Sequence, residues 1–591
     1  MTESRKCLSA LAVIALATIL SYFRVINSYF NALDDALYVV LNNLITNPTI
    51  DSLKELWSPE RALAGTFVEY FPLRDSIYWL TSRLFGVAPA AFHAVNILVH
   101  LLCSWMVLRF LRTWGLSWAA ATFGGLIFAA HPVHTESVSW ISALKDPLYS
   151  LFVIATLDCH LRWLHSRRAG WLALSLVALI ASLLTKSIGV VVFPVIFLFG
   201  VWEKRGLVRS AVVALPYAVL CGSFLTLFLQ IGAANDVIRP IGSYWVQFSV
   251  IVWNLLWYVG LTVFPYDLVI WHAVMPFFGL EWRHAIIAVF CLTGLVLFSY
   301  ALMKQREAAL WVCFFVLFLV PVLGFIAIPV FYADRYLYLS ILAVSVLLGR
   351  RWDESPRWRP FLVAVLLLFS LRTVARNEQW RSNIEIWEEA TSQQGADSAP
   401  ALFASLGATH MNEGNAGRAA FAYERALQLD SRTLDNAPGP SQRVREQWRA
   451  RTWSDLAAAR RIVGDLPGAL VAARESTKRD PGSAAFWLVQ ANLEASLGQQ
   501  EAALASLTRL LRLEPLSPAG HYTRALSRFD LGQIDLGRAD LERALHLDPA
   551  FVCPLGVRYV KGAAPAVVKQ MRDIIDDGCE ERAPPPDPDG D

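Results

Sequence analysis

The chain has 591 residues, of which 55% are hydrophobic and only 17% are charged, and its mean hydropathy is +0.42. Because soluble proteins usually have about one quarter charged residues, this composition predicts that much of the chain lies in lipid. The formal net charge is only +3, and the sequence contains no long basic run or nucleic-acid-binding motif. These features exclude a role in nucleic-acid binding.

The first two thirds of the chain have the pattern of membrane helices. From Leu8 to about Leu371, apolar runs alternate with short polar breaks. The runs have roughly 16–24 residues, which is the length that a helix needs to cross a bilayer. Two basic residues precede the first run, which continues to Phe23 without a small-residue cleavage site. We therefore interpret it as an uncleaved span rather than a signal peptide. Nothing after Arg376 is long and apolar enough to span.

The basic loops predict the topology, because positive residues mark the cytoplasmic side. These loops contain Arg109/Arg112, Arg162/Arg167/Arg168, Lys204/Arg205/Arg209, Lys304/Arg306 and Arg350/Arg351/Arg357/Arg359. They predict about 11 crossings, with residues 24–89 as a large outer loop and the C-terminal part on the same side. Residues 244–265 also resemble a span, but a crossing there would put residues 350–359 outside. We interpret 244–265 as re-entrant or interfacial, and a crossing remains the alternative. The predicted spans lie near residues 8–23, 90–111, 117–131, 147–163, 171–184, 188–202, 208–230, 285–302, 308–328, 334–349 and 360–374.

Residues 451–549 repeat with a period of 34. The period separates equivalent residues at Trp453/Trp487, Gly464/Gly498/Gly532 and Pro481/Pro515/Pro549. An earlier copy covers about residues 401–430, and an insertion containing NAPGPSQ predicts a loop after it. The pattern resembles the tetratricopeptide repeat, in which two antiparallel helices pack through small residues. A chance run of helical hairpins is the alternative.

These patterns predict an all-α chain made of a polytopic membrane helix bundle followed by a tetratricopeptide-repeat α-solenoid. The predicted domains are the membrane domain at 1–375, the repeats at 376–550 (about 401–430, 451–481, 485–515 and 519–549), and a C-terminal cap with a disordered acidic and proline-rich tail at 551–591.

Ionisable residues collect at the predicted outer ends of the spans. Asp34 and Asp35 follow the first span directly. Adjacent carboxylates repel, which raises the pKa of one of them and suits it to accept a proton. The alternative is a solvated turn or a helix cap. Further members of this set are Glu69, Arg74, Asp75, His131, His134, Glu136, Lys145, Asp146, Lys186, Asp334 and Arg335.

Ionisable groups at membrane depth are costly and are often functional, although each one alone could be an interfacial anchor. Carboxylates can activate a hydroxyl group, and cations can bind a phosphate. The carboxylates and cations together therefore predict a site on the outer face that binds a hydroxyl group and a phosphate.

The same stretches resemble the transmembrane and tetratricopeptide-repeat O-mannosyltransferase-like proteins, within the lipid-sugar-dependent GT-C glycosyltransferases. The matching stretches are LDDALYVVLNN, YFPLRDSIYWL, FAAHPVHTESVSWIS followed by KD, LLTKS, YADRYLYL and RNEQWRSNIEIWEEA. The resemblance implies a GT-C-like, bacterial-type enzyme in the cell (inner) membrane, with its repeats on the periplasmic or extracellular side. It implies a catalytic first outer loop, a polyprenyl-phosphate donor of a mannose-like sugar, and a protein or other acceptor hydroxyl.

The resemblance also implies roles for individual residues. The catalytic base is predicted to be Asp35, with Asp34 second. The cations for the donor phosphate are predicted to be, in decreasing order, Lys145, Lys186, Arg335 and Arg74. The residues that orient donor or acceptor are predicted to be His134, Glu136, Asp146 and Tyr38. Some GT-C enzymes use a divalent metal, and no spacing in this sequence is specific enough to place a metal site.

The sequence departs from the family pattern at three positions. Ser187 follows the membrane lysine where the family commonly has Glu, and Asp334 precedes the arginine of YADRYLYL where Glu is frequent. Lys145 lies directly before Asp146, where the family usually has Arg one position earlier. These departures leave the donor sugar open.

Two other functions remain alternatives. One is a non-enzymatic membrane scaffold whose repeats gather protein partners, and the other is an enzyme that joins lipid-linked glycan chains. An enzyme requires Asp34 or Asp35 at the rim of an outward cavity that Lys145, Lys186 or Arg335 also lines.

The cysteines fall into two groups. Six lie in or beside the predicted spans and are interpreted as packing residues or free thiols: Cys7, Cys103, Cys159, Cys221, Cys291 and Cys313. Cys553 and Cys579 lie in the predicted outer region, where an oxidising compartment favours pairing. Two free thiols are the alternative, because a sequence does not show whether the Cβ atoms approach each other.

Overall fold

The structure is a computed structural model, and the residues it describes form helices. These are residues 2–31, 34–63, 69–234, 244–270, 293–294, 305–325, 332–393, 396–433, 442–555, 569, 571–575 and 579. Every regular element in these ranges is helical, in agreement with the predicted all-α class. The chain divides into two compact units, one of Met1–Ala399 with Asn436–Gly439 and the other of Pro400–Asp435 with Pro440–Asp591.

The first unit is a bundle of long helices joined by short helical segments. Its helices are α1 Glu3–Tyr22, α2 Asn43–Thr46, α3 Ile50–Leu56, α4 Pro59–Leu63, α5 Pro72–Phe85, α6 Pro89–Thr113, α7 Trp118–Ala130, α8 Thr135–Ser139, α9 Lys145–Ser166, α10 Ala169–Leu183, α11 Val192–Trp202, α12 Leu207–Ala234, α13 Tyr244–Val263, α14 Arg306–Leu319, α15 Ile341–Glu354, α16 Arg359–Gln379 and α17 Asn383–Ser392.

Local sequence explains where several of these helices begin. Ser117 caps α7, because its side chain accepts a hydrogen bond from the backbone N–H of Ala120. Proline occupies the first turn of α5 and α6, where its missing N–H costs nothing. Small residues then permit close packing: a Cβ on Gly124 of α7 would lie 2.7 Å from the carbonyl oxygen of Ser345 in α15.

The number of helices that meet the length and hydropathy needed for a span is smaller than predicted. Four do so within the described ranges: Glu3–Asn27, Pro89–Thr113, Leu207–Ala233 and Pro356–Gln379. A pair bent by 110°, Pro132–Ser139 with Ile141–Ser166, makes up to five. The prediction of about 11 crossings is corrected accordingly.

Three other predicted spans coincide with shorter apolar helices, namely Trp118–Ala130, Ala169–Leu183 and Ser187–Trp202. The segment 244–265, which was interpreted as re-entrant or interfacial, contains a further one, Val250–Val263. At 1.5 Å per residue such helices are shorter than the roughly 30 Å hydrocarbon core. The predicted span at 285–302, apart from residues 293–294, and the cysteine at 291 lie outside the described residues.

The predicted outer loop folds into short helices that pack on the rest of the bundle. Tyr78 of α5 donates a hydrogen bond from its hydroxyl group to the carbonyl oxygen of Ile141, at 2.8 Å. The backbone N–H of Leu73 donates to the carbonyl oxygen of Leu184, at 3.2 Å. These contacts hold the loop against the segment before α9 and against the turn after α10, where ionisable residues were predicted to collect.

The last helix of the first unit extends past the predicted domain boundary near Arg376. In α17, Ile386 and Trp387 are fully buried, and Glu389 pairs with Arg376 of α16 at 2.5 Å. The segment RNEQWRSNIEIWEEA therefore packs within the first unit.

The second unit is a series of helical hairpins at the predicted period. The hairpins are α18 Pro400–Asn412 with α19 Ala416–Thr433, α20 Gln442–Val463 with α21 Leu466–Arg479, α22 Ala484–Ser496 with α23 Gln500–Leu513, and α24 Pro518–Asp530 with α25 Ile534–Leu547. Gly464, Gly498 and Gly532 turn the chain between paired helices with φ of 94°, 75° and 72°. Glycine suits this left-handed backbone because it has no Cβ. Most of the NAPGPSQ segment lies outside the described residues.

The end of the second unit closes the last hairpin. Helix α26, Pro549–Leu555, packs with Met571 and Ile575 against α24 and α25. A disulfide joins Cys553 to Cys579, whose Cα atoms lie 6.1 Å apart. Pairing, rather than two free thiols, is therefore the arrangement in this structure. Most of the predicted tail lies outside the described residues.

Candidate functional site

Asp35 is buried and fully engaged by neighbouring donors. Its side chain is 1% exposed and accepts hydrogen bonds from the backbone N–H groups of Asn31 and Ser142, both at 2.8 Å. The hydroxyl group of Ser142 donates to the same carboxylate. Burial raises the pKa of Asp35 to about 7, although these donors favour the ionised form. Asp35 therefore ties the first loop to the segment that leads into α9.

Asp34 is half-buried, and within the described part of the chain its carboxylate makes no hydrogen bond. Burial raises the pKa of Asp34, and the charge of Glu69 adds to this effect, while Lys145, Arg335 and Arg74 oppose it. The carboxylate therefore has spare capacity to accept a proton and has cations nearby. The sequence prediction ranked Asp35 first and Asp34 second as the catalytic base, and this ranking stays a prediction.

Glu69 bridges two of the predicted cations. Lys145 donates to both carboxylate oxygens of Glu69, at 2.7 and 3.0 Å, and Arg74 donates to Oε2 at 2.7 Å. Burial alone would raise the pKa of Glu69, but Lys145 and Arg74 hold it at about 2. This carboxylate is ionised at neutral pH and positions the Lys145 ammonium at the start of α9.

Arg74 is the least accessible of the four cations. Its guanidinium is 1% exposed, pairs with Glu69 and Asp75, and lies 4.4 Å from the centre of the Tyr38 ring. With donors on two carboxylates and one face on an aromatic ring, Arg74 holds the loop together. The centre of the Tyr38 ring also lies 5.8 Å from the Lys145 ammonium, so this ring contacts both cations.

The remaining two cations each pair with a buried carboxylate. Lys186 donates to Asp146, and the other carboxylate oxygen of Asp146 is buried and has no hydrogen-bond partner among the residues that the structure describes. The Arg335 guanidinium donates to Glu136, whose second oxygen accepts the backbone N–H of Arg335 at 2.8 Å. The side chains of Lys186 and Arg335 are 8% and 11% exposed. Both cations are therefore held in place yet keep an accessible edge.

Aromatic rings lie beside these two pairs. The ring of Tyr336 lies 5.7 Å from the Lys186 ammonium and 5.2 Å from the Arg335 guanidinium. Trp140 lies 5.2 Å from the same guanidinium. Aromatic faces attract cations, and they also stack with sugar rings through their apolar surface.

His134 contacts the backbone and the ring of Tyr338. It is fully buried, its Nε2 lies 3.1 Å from the carbonyl oxygen of Tyr338, and its ring centre lies 4.3 Å from that of Tyr338. The Nδ1 atom has no partner among the described residues. The contacts of His134 are those of a packing residue that braces the segment containing Arg335.

The fold thus brings together residues from four distant segments. Asp34, Glu69 and Arg74 come from the first loop, Lys145 and Asp146 from the start of α9, Lys186 from the turn after α10, and Arg335 from the turn before α15. The described cavities of about 400 to 640 Å³ lie elsewhere. The cavity that an enzyme requires beside these residues stays a prediction.

Sequence reasoning did not identify two features of this cluster. Ser142 anchors Asp35 from 107 positions away, a separation that has no local signal. Tyr336 lies within the YADRYLYL stretch, where it reads as one apolar residue of a span. Within the described residues there is no group of three or more His, Cys, Asp or Glu side chains able to hold a metal.

The chain is similar to curated proteins that share one name. Over 212 residues it is 31% identical to "Protein O-mannosyl-transferase Tmtc2" of Drosophila melanogaster, covering 32% of this chain and 22% of that protein. It is 27% identical over 188 residues to Tmtc1 of the same fly, covering 31% and 22%. With mouse TMTC2 the identity is 28% over 182 residues, covering 30% and 21%. The match thus spans about a fifth of the length of these relatives.

Solved structures and family models add little. "Crystal structure of MamA" is 14% identical with a TM-score of 0.25, covering 28% of this chain and 88% of that one. YrrB, described as a TPR protein with an unusual peptide-binding site, is 12% identical with a TM-score of 0.25, covering 35% and 89%. At these TM-scores we draw nothing from the likeness. No family model matches the chain.

The curated relatives confirm the resemblance that the sequence motifs predicted, and their shared name supports a glycosyltransferase. The chain is similar to the TMTC-type protein O-mannosyl-transferases, with helices long and apolar enough to span a membrane followed by tetratricopeptide-like hairpins.

Proposed function

We propose that the protein is a GT-C-type glycosyltransferase that moves a mannose-like sugar from a polyprenyl-phosphate donor to a hydroxyl group on an acceptor protein. The single observation that carries this proposal is the grouping of Asp34, which lacks a hydrogen bond to any described residue, with cations from three other segments. A base and phosphate-binding cations are the two components that this reaction needs.

The base in this mechanism is Asp34. Its carboxylate takes the proton of the acceptor hydroxyl while the hydroxyl oxygen attacks the anomeric carbon of the donor sugar. The bond between that carbon and the phosphate oxygen breaks, and the polyprenyl phosphate leaves with the bonding electron pair. Because burial raises the pKa of Asp34, its carboxylate is a stronger base than an exposed aspartate.

The negative charge of the leaving phosphate requires cations. Each of three cations is partly accessible and, without a ligand, pairs with a carboxylate: Lys145, Lys186 and Arg335. A phosphate entering the site would share these cations with Glu69, Asp146 and Glu136. Arg74 is too enclosed to reach a ligand directly and instead orients Glu69 and Tyr38.

The remaining residues and the repeats have supporting roles in this proposal. Asp35 acts as a positioning residue. Its three hydrogen bonds with Asn31 and Ser142 fix the backbone next to Asp34. Glu136 and Asp146 orient Arg335 and Lys186, and His134 braces Tyr338 behind them. The helical hairpins of the second unit hold the acceptor protein on the outer side of the cell (inner) membrane.

The experiment compares glycoproteins from the outer side of the cell (inner) membrane. The deletion strain is complemented by the wild type, by Asp34→Asn or by Asp35→Asn. Glycopeptides that disappear on deletion should return with the wild type and stay absent with Asp34→Asn. An exposed carboxylate of the same loop supplies the control variant, Asp51→Asn, which should restore them. Full restoration by both Asp34→Asn and Asp35→Asn, at equal protein levels, would leave the non-enzymatic scaffold as the better account.

A further inference from the structure

A second cluster of cations lies at the other end of the helices that carry the candidate site. Lys145 begins α9, and Arg162 lies near its end, about 26 Å away at 1.5 Å per residue. Arg109 and Arg112 occupy the last two turns of the neighbouring helix α6. These arginines are therefore separated from Asp34 and Lys186 by most of the length of the bundle.

Two cavities lie beside these arginines. The larger is about 620 Å³, and apolar side chains such as Leu11, Leu102 and Met106 line most of it. The smaller is about 400 Å³ and is lined by polar groups, including Thr113 and Ser166. Arg112 and Arg162 line both cavities. The pair thus consists of an apolar cleft and a polar chamber that share two lining arginines, and both volumes lie in the range of ligand sites, roughly 300 to 1,000 Å³.

The chamber carries excess positive charge. Arg109 and Arg162 share a single buried carboxylate, Asp158, each at 2.9 Å. Arg112 makes no ion pair with a carboxylate in the described ranges. Its guanidinium donates to the carbonyl oxygen of Leu116 and lies 4.5 Å from the ring centre of Trp118.

A second carboxylate near the cleft is already engaged. Glu3 accepts hydrogen bonds from Trp118 and from Lys6, the latter at 3.1 Å. A third carboxylate, Asp353, accepts hydrogen bonds from the residue that precedes Trp118. Three guanidinium groups and one ammonium therefore lie near three carboxylates. The cluster keeps a surplus of one positive charge, which favours the binding of an anion.

The cleft lies where lipid can enter it. Both α1 and α6 belong to helices that are long and apolar enough to span a membrane. Leu102, on the wall of the cleft, is 38% exposed, so the apolar part opens sideways from the bundle. Trp105, Trp118 and Trp171 line the two cavities, and tryptophan is typical of the level of lipid headgroups.

We propose that this cleft binds one anionic phospholipid of the leaflet opposite the candidate site. The phosphate group lies between Arg112 and Arg162, and one acyl chain follows Leu11 and Leu102 along the apolar cleft. Basic pockets between membrane helices recognise anionic headgroups in this way. The bound lipid neutralises the arginines and joins α1, α6 and α9 at that end of the bundle.

The test counts lipids bound to the purified full-length protein by native mass spectrometry during a titration with phosphatidylglycerol. We expect one retained lipid in the wild type. Arg112→Gln should weaken its binding about fivefold, because a basic residue near a membrane surface contributes about 1 kcal/mol to anionic-lipid binding. Arg168→Gln is the matched control, since it removes an exposed arginine of the same end that lines neither cavity, and it should bind as the wild type does.

A second pair of variants tests the apolar part independently of charge. Leu102→Trp fills the cleft and should displace the lipid, whereas Leu98→Trp, one turn earlier on α6 and 52% exposed, should not. If Arg112→Gln fails to fold, this pair still decides the proposal. Thermal unfolding without lipid verifies that each variant is folded.

Four results would overturn the proposal. Equal binding by Leu102→Trp and Leu98→Trp would show that no acyl chain occupies the cleft. Equal binding of phosphatidylcholine would show that the site does not select anionic phospholipids over zwitterionic ones. Displacement of the lipid by glycerol 3-phosphate would show a site for the headgroup alone. Displacement by an equal concentration of a polyprenyl phosphate would make the cleft a second site for the donor lipid.

Discussion

At the scale of single residues, two adjacent aspartates have different surroundings. Asp35 is held by three donors, while Asp34 makes no hydrogen bond within the described chain and lies near Lys145 and Arg335. Chemically identical neighbours therefore divide into a positioning residue and a candidate base. This difference makes the two side chains separable by mutation.

We predict that Asp34→Asn lowers the rate of sugar transfer by at least about 100-fold, since loss of a general base typically costs 10²–10⁴. Asp35→Asn should lower it only about tenfold, because one lost hydrogen bond loosens the loop without removing the base. The measurement is transfer from a polyprenyl-phosphate sugar to an acceptor peptide in detergent. Equal activity of both variants and the wild type would contradict the assignment.

The pKa of Asp35 predicts a pH dependence of stability. Burial raises it from the ordinary value of 3.8 to about 7, so the folded state holds a proton that the unfolded state has lost. The resulting stabilisation is complete below about pH 4 and disappears as the pH rises to about 7. The midpoint of thermal unfolding should fall between pH 4 and pH 7, and fall less in Asp35→Asn. Asp51→Asn, at an exposed site, should behave as the wild type does.

The ammonium of Lys186 should contribute to donor binding. Lys186→Gln keeps a hydrogen-bond donor for Asp146 and removes the positive charge, so a phosphate loses one charge-assisted contact. We expect donor affinity to fall roughly tenfold to 100-fold, with acceptor affinity unchanged. Lys54→Gln, an exposed lysine of the first loop, is the control. Unchanged donor affinity in Lys186→Gln would assign Lys186 to structure alone.

At the scale of secondary-structure elements, short-range patterns were the most predictable. The period of 34 residues and the repeated glycines correspond to four helical hairpins, because each hairpin packs mainly against its neighbours in sequence. The membrane unit was less predictable. An apolar run of 16 residues reads as a span, whereas several such runs form helices broken by turns, among them the pair bent by 110°.

The last hairpin is predicted to depend on a buried carboxylate. Asp540 of α25 is 4% exposed and pairs with Arg524 and Arg528 of α24, both at 2.6 Å. Asp540→Asn should lower the free energy of local unfolding by about 2 kcal/mol, because it removes charged hydrogen bonds between the two helices. Hydrogen exchange of residues 517–547 in the full chain measures this effect. Glu542→Gln, exposed on the same helix, should leave exchange unchanged.

At the scale of the whole molecule, the question is which side of the membrane each unit faces. The basic loop at 350–359 predicts that the repeat unit lies on the outer side, since such loops stay in the cytoplasm. The disulfide between Cys553 and Cys579 agrees with an oxidising compartment. The two observations come from different parts of the chain, and the topology stays a prediction.

We predict that a reporter fused after residue 400 is active only when exported. In the intact chain, Cys553 and Cys579 should resist thiol labelling until a reductant is added, whereas Cys7 should label in denaturant without reductant. The Cys7 thiol is therefore the internal control. Full labelling of the C-terminal pair before reduction, or a reporter active only in the cytoplasm, would reverse the predicted topology.

The sequence by itself determined the helical class, the repeats and the residue types of the candidate site. Periodicity and hydropathy act over neighbouring residues, so they can be read without a fold. Only the tertiary structure decided which aspartate is engaged, because Ser142 reaches Asp35 across 107 positions. It also decided that Arg74 is enclosed and that arginines of α6 and α9 line the same apolar cleft. Contacts between distant segments depend on packing, which no local pattern encodes.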